Sequence, residues 1–270
     1  MISMIYDNMG GLYQDEGDYE KALEYFEKAL TIDEKALGPE HPTISAIYDN
    51  IGSAYDDMGD YAKSLEYYEK SLAIKEKVLG PEHPETATTY NNIGYIYYEQ
   101  GDYAKSLEYY EKVAVTFEKV YGLEHPYTGT IYNNIAQVYH KQGEYDKALE
   151  YYERSLEISE KVLGLEHPDT ALRYNNIATI YYDQGDYTKA LEYSEKALTI
   201  REKALAPEHP STVMTYYSLG VVLYNSQQYE ESKHYLQKAY DIQEKVLGGD
   251  HPDTIKTKDY LELVKKEMEQ

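Results

Sequence analysis

A short tripeptide sets the period of this chain. It reads Glu40-His41-Pro42, Glu82-His83-Pro84, Glu124-His125-Pro126, Glu166-His167-Pro168 and Glu208-His209-Pro210, then Asp250-His251-Pro252, always 42 residues apart and without an insertion. A fixed period of this size means a stack of like supersecondary units, each touching only its neighbours. The whole of residues 1–270 is therefore read as a single array, with function expected on a long shared surface rather than in one pocket.

The third unit shows what is being repeated. In its first segment, ETATTYNNIGYIYYEQ, Tyr90, Ile93, Gly94 and Tyr97 fall at i, i+3, i+4 and i+7. In its second, YAKSLEYYEKVAVTFEKVY, Tyr103, Leu107, Tyr110 and Ala114 make a second stripe of helical period. Pro84 suits a first helical turn, Gly101 a left-handed C-terminal residue, Asp102 an N-cap, and Gly122 a stop. No period-2 alternation occurs, so the fold class is all-α. The spacing predicts six helical hairpins, at about 1–39, 43–81, 85–123, 127–165, 169–207 and 211–249, and a single helix over 253–268. That last helix, with Lys256, Lys258, Lys265, Lys266 and Glu267, is polar enough to cap an array. Nothing comparable caps the start. Met1 falls mid-unit, which points to a piece excised from a larger protein. The segments Asp60 to Lys70 and Asp102 to Lys112 both read DYAKSLEYYEK, a likeness expected of recent duplication or of design toward a consensus.

The pattern resembles the tetratricopeptide repeat. Small residues recur in the first helix (Gly10, Gly52, Gly94, Ala136, Ala178, Gly220), with Tyr13, Tyr55, Tyr97, Tyr139 and Tyr181 three residues later. Small residues also recur in the second helix (Ala22, Ser64, Ser106, Ala148, Ala190, Ser232), and Tyr6, Tyr48, Tyr90, Tyr132, Tyr174 and Tyr216 occupy the first aromatic position. The longer second helix and the Tyr-Asn-Asn of the first resemble the kinesin light chain variety of the repeat. The resemblance implies a right-handed α-solenoid superhelix whose first helices line a concave, partner-binding face. The heptad coiled coil that would bind motor heavy chains is absent.

Composition narrows the partner. With 49 acidic against 26 basic residues the formal net charge is -23, which disfavours nucleic acid and anionic membranes. A neutral-to-basic protein or peptide is favoured; an exterior that is acidic only for solubility is the plainer account. There is no Cys, so disulfides and thiolate chemistry are excluded. No apolar run reaches membrane-span length, and no basic signal-peptide region precedes Met4. The expected setting is cytoplasmic.

In the third unit Thr88, Asn91, Asn92, Tyr95, Tyr98 and Glu99 lie off the apolar stripe, on the face the resemblance assigns to the groove. The Asn pair recurs as Asn91-Asn92, Asn133-Asn134 and Asn175-Asn176, preceded by Asp7-Asn8 and Asp49-Asn50. Asn is a poor residue for a helix interior, so its recurrence needs a reason. An amide carries donors and an acceptor and can satisfy an extended peptide's backbone whatever its sequence. The resemblance gives that role to Asn50, Asn92, Asn134 and Asn176; the competing account is that the amides brace adjacent repeats. Tyr95, Tyr98, Tyr182 and Tyr224 offer stacking surfaces, and Asp15, Asp56, Asp57, Glu99 and Asp183 offer charge, interrupted by His140 and Lys141 with Arg173 at the edge. The peptide-binding set is thus Asn50, Asn91, Asn92, Tyr95, Tyr98, Glu99, Asn133, Asn134, Gln137, Asn175, Asn176, Thr179, Tyr182 and Asp183. Relatives that clamp a C-terminal carboxylate or an acidic tryptophan motif use Lys and Arg here, so those ligand classes should not transfer.

Catalysis and metal binding find no support. Phosphate-loop, His-Glu-x-x-His and Gly-x-Ser-x-Gly motifs are missing. One His per turn, held roughly 10 Å from the next by helix packing, cannot share an ion, so turn-capping is expected of these residues. His140 and His234 read as ordinary surface residues. The chain is read as a scaffold or adaptor with no catalytic residue, metal or cofactor. The alternatives are a structural spacer or self-assembling array, stacked end to end rather than monomeric, and the sensor arm of a larger protein.

Overall fold

A computed structural model describes residues 2–269. All regular structure among them is helical, and the chain divides into two compact units, Met1–Leu123 and Glu124–Gln270. The first contains three hairpins: α1 (Ile2–Asp15) with α2 (Tyr19–Leu37), α3 (Pro42–Asp57) with α4 (Tyr61–Val78), and α5 (Pro84–Glu99) with α6 (Tyr103–Tyr121). The second contains α7 (Pro126–Lys141) with α8 (Tyr145–Val162), α9 (Pro168–Asp183) with α10 (Tyr187–Ala204), and α11 (Pro210–Asn225) with α12 (Tyr229–Leu247), followed by α13 (Pro252–Met268).

The turn histidines set where the first helices begin. His41, His83, His125, His167, His209 and His251 are N-caps, each accepting through Nδ1 from the backbone N–H two residues on at 3.2 Å. The following Pro lacks the N–H that would otherwise go unsatisfied. The capping role expected of these residues is therefore observed. At the hairpin tip, Gly101 has φ +77°, and Asp102 accepts from the Lys105 N–H at 3.2 Å. In the sixth hairpin the glycine is replaced by Gln227, which still adopts φ +62°.

Many of the chain's 35 Tyr pair their rings between the two helices of a hairpin. Tyr13, Tyr55 and Tyr97 stack on Tyr25, Tyr67 and Tyr109 at 5.3, 5.6 and 5.7 Å between ring centroids. Lys28, Lys70 and Lys112 lie over the outer faces of those rings at 4.6, 4.5 and 4.8 Å, so the aromatic layer is sealed by cations. The hydroxyl of the first-position Tyr reaches back to the preceding hairpin: Tyr48 donates to Glu34 at 3.2 Å, Tyr216 to Glu202 at 2.7 Å, and Tyr90 and Tyr174 donate to Glu76 and Glu160. Gly94 allows α5 and α6 to close, since a Cβ there would stand 2.8 Å from the Tyr110 ring.

The Glu of each Glu-His-Pro turn meets a Lys near the end of the same repeat's second helix. Lys203–Glu166 and Lys245–Glu208 are 2.9 and 2.6 Å apart, and Lys77–Glu40 and Lys119–Glu82 repeat the arrangement. All are exposed, so each contributes at most about 1 kcal/mol.

Candidate functional site

The first helices present two ladders of polar side chains, and each unit shows what they do. In the first unit Asn50 Nδ2 donates to Asp7 Oδ1 at 2.9 Å; in the second, Asn176 Nδ2 donates to Asn133 Oδ1 at 2.8 Å. The second Asn of one pair thus engages the first polar residue of the pair before it. Asn133 is only 5% exposed. Here the amides do brace adjacent repeats, a use that shared position alone could not distinguish from ligand contact. The brace is missing at Asn92. Its counterpart Asp49 is taken by the buried Lys75 ammonium, with which it forms an ion pair, and by the Thr89 hydroxyl at 3.2 Å. The Asn92 side chain makes no hydrogen bond among the described residues and remains half-buried beside Tyr95, which is 43% exposed.

A second ladder runs near the C-terminal ends of the same helices. Gln14 Nε2 donates to Asp57 Oδ2 at 2.6 Å and to Ser53 Oγ at 2.9 Å. His140 Nε2 lies 2.6 Å from Asp183 Oδ2, and Asn225 Nδ2 donates to the Tyr182 hydroxyl at 3.2 Å. His140 is accordingly a brace for Asp183, not the isolated surface residue expected from sequence. Where this ladder should join the second hairpin to the third, Asp56 is in the field of Glu99 instead of a donor. Burial, then the charges of Asp57 and Glu99, pushes the Asp56 carboxyl up to about 6. Burial also raises the Tyr95 and Tyr98 hydroxyls, with Glu99 the next cause in both. This end of the first unit is a tyrosine-lined surface with excess negative charge and one uncommitted amide.

In the second unit four of the sequence-predicted residues line a single cavity. Asn175, Thr179, Tyr182 and Asp183 surround about 220 Å³ together with Ala178, Ser194, Tyr217, Ser218, Val221 and Val222. Thr179 and Asp183 are exposed, and Asn175 and Tyr182 half-buried with Tyr187 against the Tyr182 ring at 5.7 Å. Asn134 and Gln137, half-buried on α7, do not line this cavity; in the first unit Asn91 is half-buried on α5. Sequence reasoning missed Tyr217 and Ser218, which stand where other repeats carry the Asn pair; the exchange of amides for a phenol and a hydroxyl at that register was the available signal. In the first unit Asn50 lines a separate cavity with Asp7, Asn8 and Gln14. Among the described residues no group of three or more His, Cys, Asp or Glu could hold a metal ion, and no helix is long and apolar enough to cross a membrane.

Tetratricopeptide repeat profiles match residues 1–77, 46–119, 85–161, 127–203 and 169–231, and a further one matches 212–253. The chain belongs to the tetratricopeptide repeat family. Its repeats are of the kinesin light chain type, as a solved structure from Podosopora anserina shows. That structure, of nearly identical TPR-like repeats assigned to kinesin light chain, is 27% identical, with a TM-score of 0.66 over 76% of this chain and 98% of its own. Two others share the fold. BtubC (BKLC) from P. vanneervenii is 21% identical, with a TM-score of 0.70 over 87% of this chain and 92% of its own. A Signal Transduction ATPase with Numerous Domains protein with a tetratricopeptide repeat sensor, from Pyrococcus horikoshii, is 19% identical, with a TM-score of 0.77 over 96% of this chain and 38% of its own. No curated protein sequence matches this chain.

Proposed function

We propose that the chain is a protein-interaction scaffold that holds a neutral-to-basic peptide segment along the first-helix face, through Tyr, Asn and carboxylate side chains. The observation that carries this reading is the cavity of about 220 Å³ bounded by Asn175, Thr179, Tyr182 and Asp183. It has the mixture expected of a peptide-recognition site, an apolar floor in Val221 and Val222 with a few polar groups at the rim. In the first unit Asn92, Tyr95 and Glu99 supply the same chemistry, with an amide that no brace consumes. Negative charge at Asp56, Asp57, Glu99 and Asp183 favours a partner with Lys or Arg and disfavours an acidic one.

Peptide-display selection against the chain, compared with a Thr179→Arg variant, tests the reading. Thr179 is exposed, so the substitution fills the cavity mouth with a bulky cation and leaves the core intact. Basic or neutral peptides should be enriched, and their affinity should fall at least about tenfold in the variant, the equivalent of one charge-assisted hydrogen bond. Enrichment of acidic peptides, or binding indifferent to Thr179→Arg, would overturn the proposal. A self-stacking spacer is the competing reading, favoured by the exposure of Ile2, Ile5 and Leu12 on α1. It requires a molecular mass that rises with concentration in sedimentation, which a monomeric peptide binder does not show.

A further inference from the structure

The repeats serve as internal controls for one another at the join between a second helix and the first helix that follows. In the second repeat this join is filled by Lys75, only 6% exposed, whose ammonium donates to the Thr89 hydroxyl at 2.9 Å and the Glu85 carbonyl at 3.4 Å and pairs with Asp49. In the fifth, the equivalent residue is Arg201, 5% exposed, which donates through Nη1 to the Ser211 carbonyl at 2.9 Å and to the Thr215 hydroxyl. A hydroxyl and a carbonyl on the first two turns of the next helix therefore form a receptor for a cation carried by the chain itself. Burying a charge in this way is tolerated because the acceptors replace its water.

In the sixth repeat the acceptors persist and the cation is gone. Thr257 and Asp253 occupy the positions of Thr89 and Glu85 on α13, and Thr257 donates to the Asp253 carbonyl at 2.9 Å, as Thr215 does to Ser211 at 2.8 Å. The residue in register with Lys75 and Arg201 is Gln243, shorter and uncharged. It is 8% exposed, and its Oε1 has no hydrogen-bond partner among the described residues. Around it opens a cavity of about 490 Å³, lined by Val213, Met214, Ile242 and Val246 along the sides and by Glu208 and Asp253. Gln243 lines this cavity, and a buried amide oxygen without a donor is uncommon and costly, so a donor entering beside it would satisfy it. Tyr217 replaces the carboxylate that Asp49 supplies in the second repeat. Its ring carries the exposed Lys256 ammonium at 5.1 Å, and Lys256 also lines the cavity, so an incoming cation must displace it from the ring or bind deeper.

We propose that the Gln243 cavity receives the side chain of an Arg or Lys presented by a partner peptide. The aliphatic stem lies along Met214, Ile242 and Val246, and the charged head donates to Gln243 Oε1 and to the Thr257 and Asp253 oxygens. The inference goes beyond the groove reading and stands on different residues, apart from Tyr217 and Ser218, which line both cavities.

The test is a ¹H–¹⁵N NMR titration of the full chain with Nα-acetyl-arginine methylamide. The neutral isostere Nα-acetyl-citrulline methylamide and free putrescine run in parallel. The arginine probe should shift the Gln243 side-chain amide and the Thr257 backbone resonance saturably, and the citrulline probe should bind at least about tenfold more weakly, since it offers no charge-assisted hydrogen bond. Gln243→Arg rebuilds the arrangement of Arg201 and should abolish the response while keeping the melting temperature. Met214→Arg, at a position 65% exposed, should do the same from the cavity mouth if the first variant fails to fold. Thr179→Arg should leave the response unchanged, which separates failure here from failure of the groove. No saturable shift at Gln243, or equal binding of the citrulline probe, overturns the proposal. Putrescine binding as tightly as the arginine probe overturns the peptide as the source of the cation.

Discussion

At the scale of single residues, the same position serves different ends in different copies. Asn50 and Asn176 are committed to their neighbours, whereas Asn92 is uncommitted because Lys75 has captured Asp49. The Asn positions were legible in the sequence, because an amide repeated at one register in a helix is conspicuous. Their use was not, because it depends on how far one repeat is offset from the next. Lys75 and Arg201 were hidden for another reason: in Lys- and Glu-rich second helices a buried cation has the same letter as an exposed one. Asp56 yields a pH prediction. Its carboxyl is raised from an ordinary 3.8 to about 6, so the folded chain binds that proton more tightly than the unfolded chain does. The stability this gives is fully present below the ordinary value and is lost as pH rises through about 6. Asp56→Asn removes the charge at high pH only. The variant should melt above the parent chain at about pH 7.5 and no higher at about pH 4. A melting difference that does not change with pH would show that Asp56 is not the group concerned.

At the scale of helices, the fold was almost wholly legible, since Pro, Gly and Asp punctuate most hairpins in the same places. The caps have measurable worth. His167→Ala removes the acceptor for the Asp169 N–H and should cost about 1 kcal/mol, whereas His167→Asp should recover most of it. Chemical denaturation of the two variants distinguishes loss of the cap from loss of the ring. The tip of the last hairpin is less well made. Gln227 holds φ +62°, where five earlier repeats use glycine at φ +75° to +80°. A side chain in that conformation costs about 1 kcal/mol, so Gln227→Gly should stabilise the chain by a similar amount, less the entropy glycine restores to the unfolded state. A drop in stability would mean that the contacts of Gln227 outweigh its strain.

At the scale of the whole chain, charge dominates. A net charge of -23 on 270 residues is a standing self-repulsion, and the exposed Lys–Glu pairs offset little of it. Raising sodium chloride from about 20 to about 300 mM should therefore raise the melting temperature, because it screens the repulsion more than it weakens those pairs. A falling melting temperature would show that the turn pairs and the sealed tyrosine layer contribute more than their exposure suggests. The same field should draw basic ligands to both proposed sites more strongly at low salt.

The 43-residue separation shared by Asn50 with Asp7, Asn176 with Asn133, and Gln14 with Asp57 has a genetic consequence. Each brace joins side chains one residue more than a repeat apart, so adding or removing whole repeats keeps the register of the rungs. Two coding sequences misaligned by 42 codons can recombine into a frame that keeps every rung in register, while the side chains that meet at the new junction depend on which copies are joined. Copy number can then change in single crossovers by whole repeats without loss of register, while a slip of even one codon within a repeat would shift every rung it crosses.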